Sequence, residues 1–211
     1  DDTLSGEGST VETQGTNTLI EGGATRDINL FHSFDEFNVR EGQSAYFVVD
    51  DTNIENIFSR ITGQDPSDIL GVLGTCVSNH CSVINSTDAN LYLINPNGIF
   101  FGPNATLDVG GSFIATTANA IRFGDQGDFN VSDRVLSSSL TVNPSAFLFN
   151  NISQGTSGTI ANQSRGDAGR APSNSFSTFG LRVPDGESIL LLGGDVNIDG
   201  GGIVAFGGRI D

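Results

Sequence analysis

The stretch from Leu91 to Thr117, LYLINPNGIFFGPNATLDVGGSFIATT, constrains the fold more than any other part of the chain. Short apolar or alternating runs, Leu91–Ile94, Ile99–Phe101, Ala105–Val109 and Phe113–Ala115, are separated by turn signals. The breaks are Asn95-Pro96-Asn97-Gly98, Gly102-Pro103-Asn104 and Gly110-Gly111. Asn tolerates left-handed backbone, Gly adopts it freely, and Pro fixes φ while removing a donor. Strands this short cannot usefully cross a sandwich. They suit a chain that winds in a coil, lays each rung on the last and turns a corner every few residues.

The closing stretch repeats the pattern as ESILLLGG, DVNIDGG, GIVAFGG and RID. Each piece is a short strand, and the first three end in two glycines. From Ile189 to the next equivalent position near Ile210 is about 20 residues, within the period range of solenoid coils. In such a stack the backbone pairs with the rungs above and below. Like residues then lie in register, so Asn or Thr at a corner can bond its counterpart one rung away. Leu91–Ile94 and Ile189–Leu192 do not alternate and need cover on both faces. An element outside the coil is therefore expected over them.

A length of 211 residues fits one domain. The hydrophobic content is 36%, with 15 Phe, no Trp and no Met, which a narrow core of Val, Ile, Leu and Phe can satisfy. The net charge is −16 and all nine basic residues are Arg. Nucleic acid and anionic membrane surfaces both require clustered positive charge, so neither is expected as a partner. No apolar run approaches the roughly 20 residues of a membrane helix. The start at Asp1-Asp2 reads as a mature or trimmed terminus from which an export signal could have been removed, so the absence of a signal peptide says little about compartment.

Along the chain, Val11, Leu19, Ile20, Ile28 and Leu30 mark possible strand starts. This amino-terminal region, to about residue 40, is a candidate cap for an exposed stack edge. Strands are expected at Phe37–Arg40 and Ala45–Val49, with a turn at Glu41-Gly42, and Phe31, Phe34 and Phe37 read as core. Ile54, Ile57, Phe58 and Ile61 have helical spacing and predict a short helix stopped at Gly63. Further strands are predicted at Ile69–Leu73, Val83-Ile84, Ile121–Phe123, Phe129–Val131, Leu140–Val142, Phe147–Phe149 and Thr159-Ile160. Within residues 165–186, the piece RGDAGRAPSNS reads as an exposed loop; it contains Arg165-Gly166-Asp167, a tripeptide too short to assign adhesion.

Cys76 and Cys81 are spaced C-x4-C around His80. A disulfide closing a tight loop is the favoured reading, with the pair at the tip between Ile69–Leu73 and Val83-Ile84. A metal site would need two more ligands, and the other histidine is His32. Asp108, Asp195 and Asp199 could line an acidic groove of a carbohydrate-active β-helix, but lyase chemistry wants a basic group, and Lys is absent. GGDVNIDGG has the flavour of a calcium-loaded repeat, yet the nonapeptide pattern does not recur. No phosphate-cradling G-x-x-x-x-G-K-[ST] is possible without Lys, and neither histidine sits in a nucleophile signature. No cofactor is expected, and a non-enzymatic role is favoured over the alternatives of enzyme or adhesin.

Asn95-Pro96-Asn97-Gly98-Ile99 resembles the NPNGI signature of the two-partner secretion (TPS) domain, the amino-terminal module of filamentous-haemagglutinin-like exoproteins. Phe37-Asn38-Val39, Ile61-Thr62-Gly63 and Phe113-Ile114-Ala115-Thr116-Thr117 supply the context in order and spacing. The ending GLRVPDGESILLLGGDVNIDGGGIVAFGGRI is similar to cyanobacterial members, and the resemblance covers essentially the whole chain. One departure is the absence of an upstream NPNL; the corresponding region reads Val49-Asp50-Asp51-Thr52-Asn53-Ile54.

The resemblance implies a single domain over residues 1–211. Its fold would be an all-β, right-handed parallel β-helix with an amino-terminal cap and β-hairpins outside the helix. It favours a strand over a helix at residues 51–63. It also implies a monomeric secretion-targeting module, recognised in the periplasm by the POTRA domains of an outer-membrane TpsB transporter of Omp85 type. The exoprotein would be exported to the cell surface or beyond, without inserting in the membrane itself. Two roles stay open for Asn95–Ile99: a structural corner, or direct contact with the partner.

Overall fold

The computed structural model describes residues 4, 7–50, 53–77, 81, 87–133, 135–150 and 158–211. Among them the regular elements are all strands. β1 (Ser9–Gln14) and β2 (Asn17–Gly22) form an antiparallel hairpin, as do β3 (Ala24–Arg26) and β4 (Asn29–Phe34). The turn between β3 and β4 places Asp27 at φ 55°, in the left-handed region that Asp tolerates. The chain continues through β5 (Ser44–Val49), β6 (Asn56–Ile61) and β7 (Ser67–Ile69), then β8 (Val72–Val77), β9 (Asn90–Ile94) and β10 (Ile99–Phe101). β11 (Thr106–Asp108) and β12 (Phe113–Thr116) follow. β13 (Ala120–Arg122), β14 (Asp128–Asn130) and β15 (Ala146–Leu148) make a separate antiparallel sheet. Then come β16 (Thr159–Asn162), the antiparallel pair β17 (Asp167–Arg170) and β18 (Ser177–Phe179), and β19 (Leu181–Arg182). β20 (Ile189–Leu192), β21 (Asp195–Ile198) and β22 (Ile203–Val204) end the series.

Three larger sheets collect these strands in the orders β1-β2-β5-β8-β11, β3-β4-β6-β9-β12-β20 and β7-β10-β16-β21. From β5 to β12 and β16 the chain visits first, second and third sheet in rotation, and neighbouring strands are parallel. The structure is all-β with mostly parallel sheets, consistent with a β-helix. A parallel bridge joins Ile189 to Ile210, where the sequence spacing placed the next equivalent position.

Side chains alternate across the second sheet and feed two cores. Leu30, Phe34, Ile57, Ile61, Leu91 and Leu93 belong to one, together with Phe47, Phe101 and Phe113. Phe31, Phe58, Tyr92, Ile94 and Ile114 belong to the other. Phe31, Phe58, Tyr92, Ile114 and Leu190 are register partners strand by strand, so this second core begins as a stripe on one sheet face. Its rings stack directly, with centroids 5.1 Å apart for Phe31–Phe58 and 4.4 Å for Phe58–Tyr92. Ile121, Phe123, Phe129 and Phe147, from the antiparallel β13–β15 segment, cover the stripe. This is the cover that the unbroken run Leu91–Ile94 requires; at Ile189–Leu192 it is partial, since Leu190 packs against this core but it and Leu192 stay half-buried.

The same double burial overturns the predicted helix at residues 51–63. All six residues of β6 are buried, because Ile57 and Ile61 face one core and Phe58 the other. An apolar set at helical spacing here marks a strand covered on both sides. Ile69–Leu73 is not one strand but two, in different sheets, with the corner at Leu70-Gly71. A Cβ on Gly71 would lie 2.1 Å from the Gln43 carbonyl oxygen, so only glycine turns there. Cys76 accordingly sits within β8 and not at a hairpin tip. Phe37–Arg40 makes a single bridge, Val39 to Ile69. Leu140–Val142 is not a strand; Leu140 is anchored as a core side chain, and its carbonyl accepts from Asn29. The piece RGDAGRAPSNS is mostly exposed, but it is not all loop, since it contains β17, which pairs with β18 just beyond it. Val83-Ile84 and His80 lie outside the described residues.

Candidate functional site

β9 in the second sheet and β10 in the third are joined by Asn95–Gly98, which turns the corner between them. Asn95 is fully buried. Its Nδ2 donates to the Asp65 carbonyl and to Ser67 Oγ, both at 3.0 Å, tying the corner to the previous circuit. Its Oδ1 accepts from the Asn97 backbone N–H at 3.0 Å, an Asx-turn, and Gly98 N–H donates to the Asn95 carbonyl at 3.1 Å. Asn97 Nδ2 reaches the Gly63 carbonyl at 2.9 Å. Gly98 has φ 127°, which an L side chain rarely adopts. Ile99 is 1% exposed, packs in the first core and pairs with Ser67 and Ile160.

Pieces that lie far apart in sequence meet at this corner. Gly63 and Asp65 stand before it, and Asn95 N–H donates to the Thr116 carbonyl at 3.0 Å behind it. Thus Ile61–Gly63, Asn95–Ile99 and Phe113–Thr117 occupy successive levels of one edge. Phe37–Val39 serves the next corner, where Asp68 N–H donates to Asn38 Oδ1 at 2.8 Å. Sequence reasoning missed Gly158, whose N–H donates to the Pro96 carbonyl at 2.9 Å. A Cβ there would sit 2.3 Å from Gly98 N. Of the five motif residues, Pro96 is half-buried, Asn97 is exposed, and the rest are buried.

A second polar column also escaped the sequence reading, although stacked corner amides were expected in general terms. Asn29, Asn56 and Asn90 are register partners. Asn56 Nδ2 donates to Asn29 Oδ1, and Asn90 Nδ2 to Asn56 Oδ1, each at 3.0 Å. Asn90 Oδ1 then accepts from Ser112 N–H at 2.9 Å, and Ser112 Oγ from Ser188 N–H at 3.0 Å. At its amino-terminal end Asn29 Nδ2 donates to the carbonyls of Leu140 and Val142. One thread of hydrogen bonds thus joins five successive levels of the second sheet and the segment outside them. The sequence signal was present only as Asn before an apolar run, at unequal intervals.

The remaining candidates are scattered. Asp108 lies in the first sheet and accepts from Tyr46 Oη at 2.9 Å; desolvation and this carboxylate hold the Tyr46 phenol protonated far above its ordinary range. Asp195 lies in the third sheet, and Asp199 beyond it accepts from Gln163 Nε2. The three carboxylates are therefore not brought together as an acid pair. Cys76 and Cys81 are joined by a disulfide with their Cα atoms 5.1 Å apart. Among the described residues no group of three His, Cys, Asp or Glu side chains could hold a metal ion.

Two buried bases stand apart from the corner. His32 is buried between the Phe34 and Phe47 rings, with Nδ1 2.8 Å from Ser9 Oγ, and burial pulls its pKa down to about 3. Arg60 is 1% exposed, bonds Ser33 Oγ and the Asn130 carbonyl, and lies 4.6 Å from the Phe129 ring centroid. Desolvation lowers it to about 10, with Asp133 opposing. Both positions are structural: each joins the second sheet to what covers it.

A family model described as "TPS secretion domain" matches residues 1–211. No curated protein matches the chain.

Proposed function

The chain belongs to the TPS secretion domain family, and from that premise we propose that it targets a large exoprotein to the POTRA domains of an outer-membrane TpsB transporter. The family implies two-partner secretion and an exported protein that crosses the outer membrane. The finer reading is a monomeric, right-handed β-helix whose β1–β4 hairpins act as the cap. Export would deliver the protein to the cell surface or the medium. The role in this reading is recognition: the groups assembled at the motif corner are side-chain amides, backbone carbonyls and the Ser67 hydroxyl, each engaged in holding the corner.

The observation that carries this reading is the match over the full chain, together with the convergence of the motif segments on one edge. Within it, Asn95, Gly98 and Ile99 shape the corner, and Pro96 and Asn97 are the members a partner can reach. The Cys76–Cys81 disulfide fits an oxidising periplasm. Calorimetric titration with the soluble periplasmic region of the cognate transporter should give a saturable one-to-one complex. No heat and no complex would contradict the proposal.

A further inference from the structure

The walls of the stack are unequal at its amino-terminal end. Past β5 the first sheet extends by β2 and β1, and past β6 the second extends by β4 and β3. The third stops at β7, whose outer edge, among the described residues, carries the bridge from Val39 to Ile69 and the hydrogen bond from Asp68 N–H to Asn38 Oδ1. There Val39 N–H donates to the Asp68 carbonyl at 2.9 Å, and Leu70 N–H to the Val39 carbonyl at 2.7 Å. The backbone groups of an extended segment point to alternate sides, so those of Asn38 face away from β7. Among the described residues they have no backbone partner.

A cavity of about 140 Å³ opens beside this segment, with Val11, Ile20, Phe34, Phe37, Val39 and Ala45 among its lining. A cavity of roughly 150 Å³ accommodates a benzene ring, so this one fits a single branched aliphatic or aromatic side chain. Val11, on the lip, is 57% exposed. The surroundings carry exposed Glu12, Asp35, Glu36 and Glu41 against one exposed cation, Arg40.

We propose that this gap is a docking slot for one extended strand of the transporter's periplasmic domain. The strand would pair along Glu36–Arg40, complete the third wall and insert one apolar side chain into the cavity. The acidic rim selects a strand flanked by Lys or Arg. The inference rests on the targeting role argued above and adds where and how the partner binds.

The test compares the wild-type chain with V11W, which fills the mouth, and E36R, which reverses the rim charge, by titration with the soluble periplasmic domain of the transporter. V135W is the control, since Val135 is 70% exposed elsewhere. Both slot variants should lose at least tenfold in affinity while melting near the wild type, with V135W unchanged. Hydrogen exchange at Asn38 should slow in the wild-type complex. If the wild-type chain binds but E36R and a folded V11W bind equally well, the slot is wrong and the targeting role stands. If V11W fails to fold, E36R and the exchange of Asn38 decide. If the wild-type chain does not bind at all, the targeting role fails, and the slot with it.

Discussion

Two asparagines of one pentapeptide do different work. Asn95 is buried and its side-chain amide makes four hydrogen bonds, whereas Asn97 is exposed and its amide reaches only the Gly63 carbonyl and Asn95 Oδ1. Asn95→Ala strands buried partners and should cost about 2–4 kcal/mol. For a chain of this length that is a fall of roughly 5–15 °C in Tm. Asn97→Ala should cost under about 1 kcal/mol. Thermal melts of the two variants side by side check the difference. His32 supplies the pH dependence at the same scale. Its neutral form is favoured in the fold, where its pKa is about 3 against an ordinary 6.5. Its contribution is complete above the ordinary value and is lost as pH falls from there toward the folded value, because only the unfolded chain takes up the proton. The loss is on the order of a few kcal/mol. Urea midpoints measured from pH 7 to pH 4 should fall more steeply for the wild type than for H32Q.

Elements here are set by what covers both faces of a strand. The turn residues made the four runs of Leu91–Thr117 legible, and each contains a strand, though Ala105–Val109 shortens to Thr106–Asp108. Periodicity failed where a strand feeds two cores. Ile57, Phe58 and Ile61 look like one face of a helix only if a single face is buried, and here Phe58 packs against Phe123 and Phe129 from far along the chain. Leu140 misled for the opposite reason: it is apolar for the sake of that outer core without being in a strand. The motif residues were legible at the corner, but Gly158 was not, because its role is fixed by contact with Pro96 and Gly98 and not by any local pattern. Gly158→Ala must push β16 off the corner and should destabilise the chain by roughly 3 kcal/mol. Gly8→Ala, where a Cβ meets nothing within 4 Å, should stay within about 0.5 kcal/mol. Denaturant midpoints of both variants test this.

The whole molecule is held by stacked rungs more than by charge. Four ion pairs occur among the described residues, each with at least one partner side chain 29% or more exposed, so they contribute little to stability. The polar thread from Asn29 to Ser188 and the two cores link distant circuits instead. The net charge of −16 leaves the exterior suited to a basic partner and to staying soluble during export. The central claim is that this surface is read by an outer-membrane transporter. The most direct measurement is to produce the chain behind an export leader, with and without its TpsB partner, and to assay it in the periplasm and the medium. The account predicts release into the medium only when the partner is present. Equal release without the partner, or retention in the periplasm with it, would contradict the account.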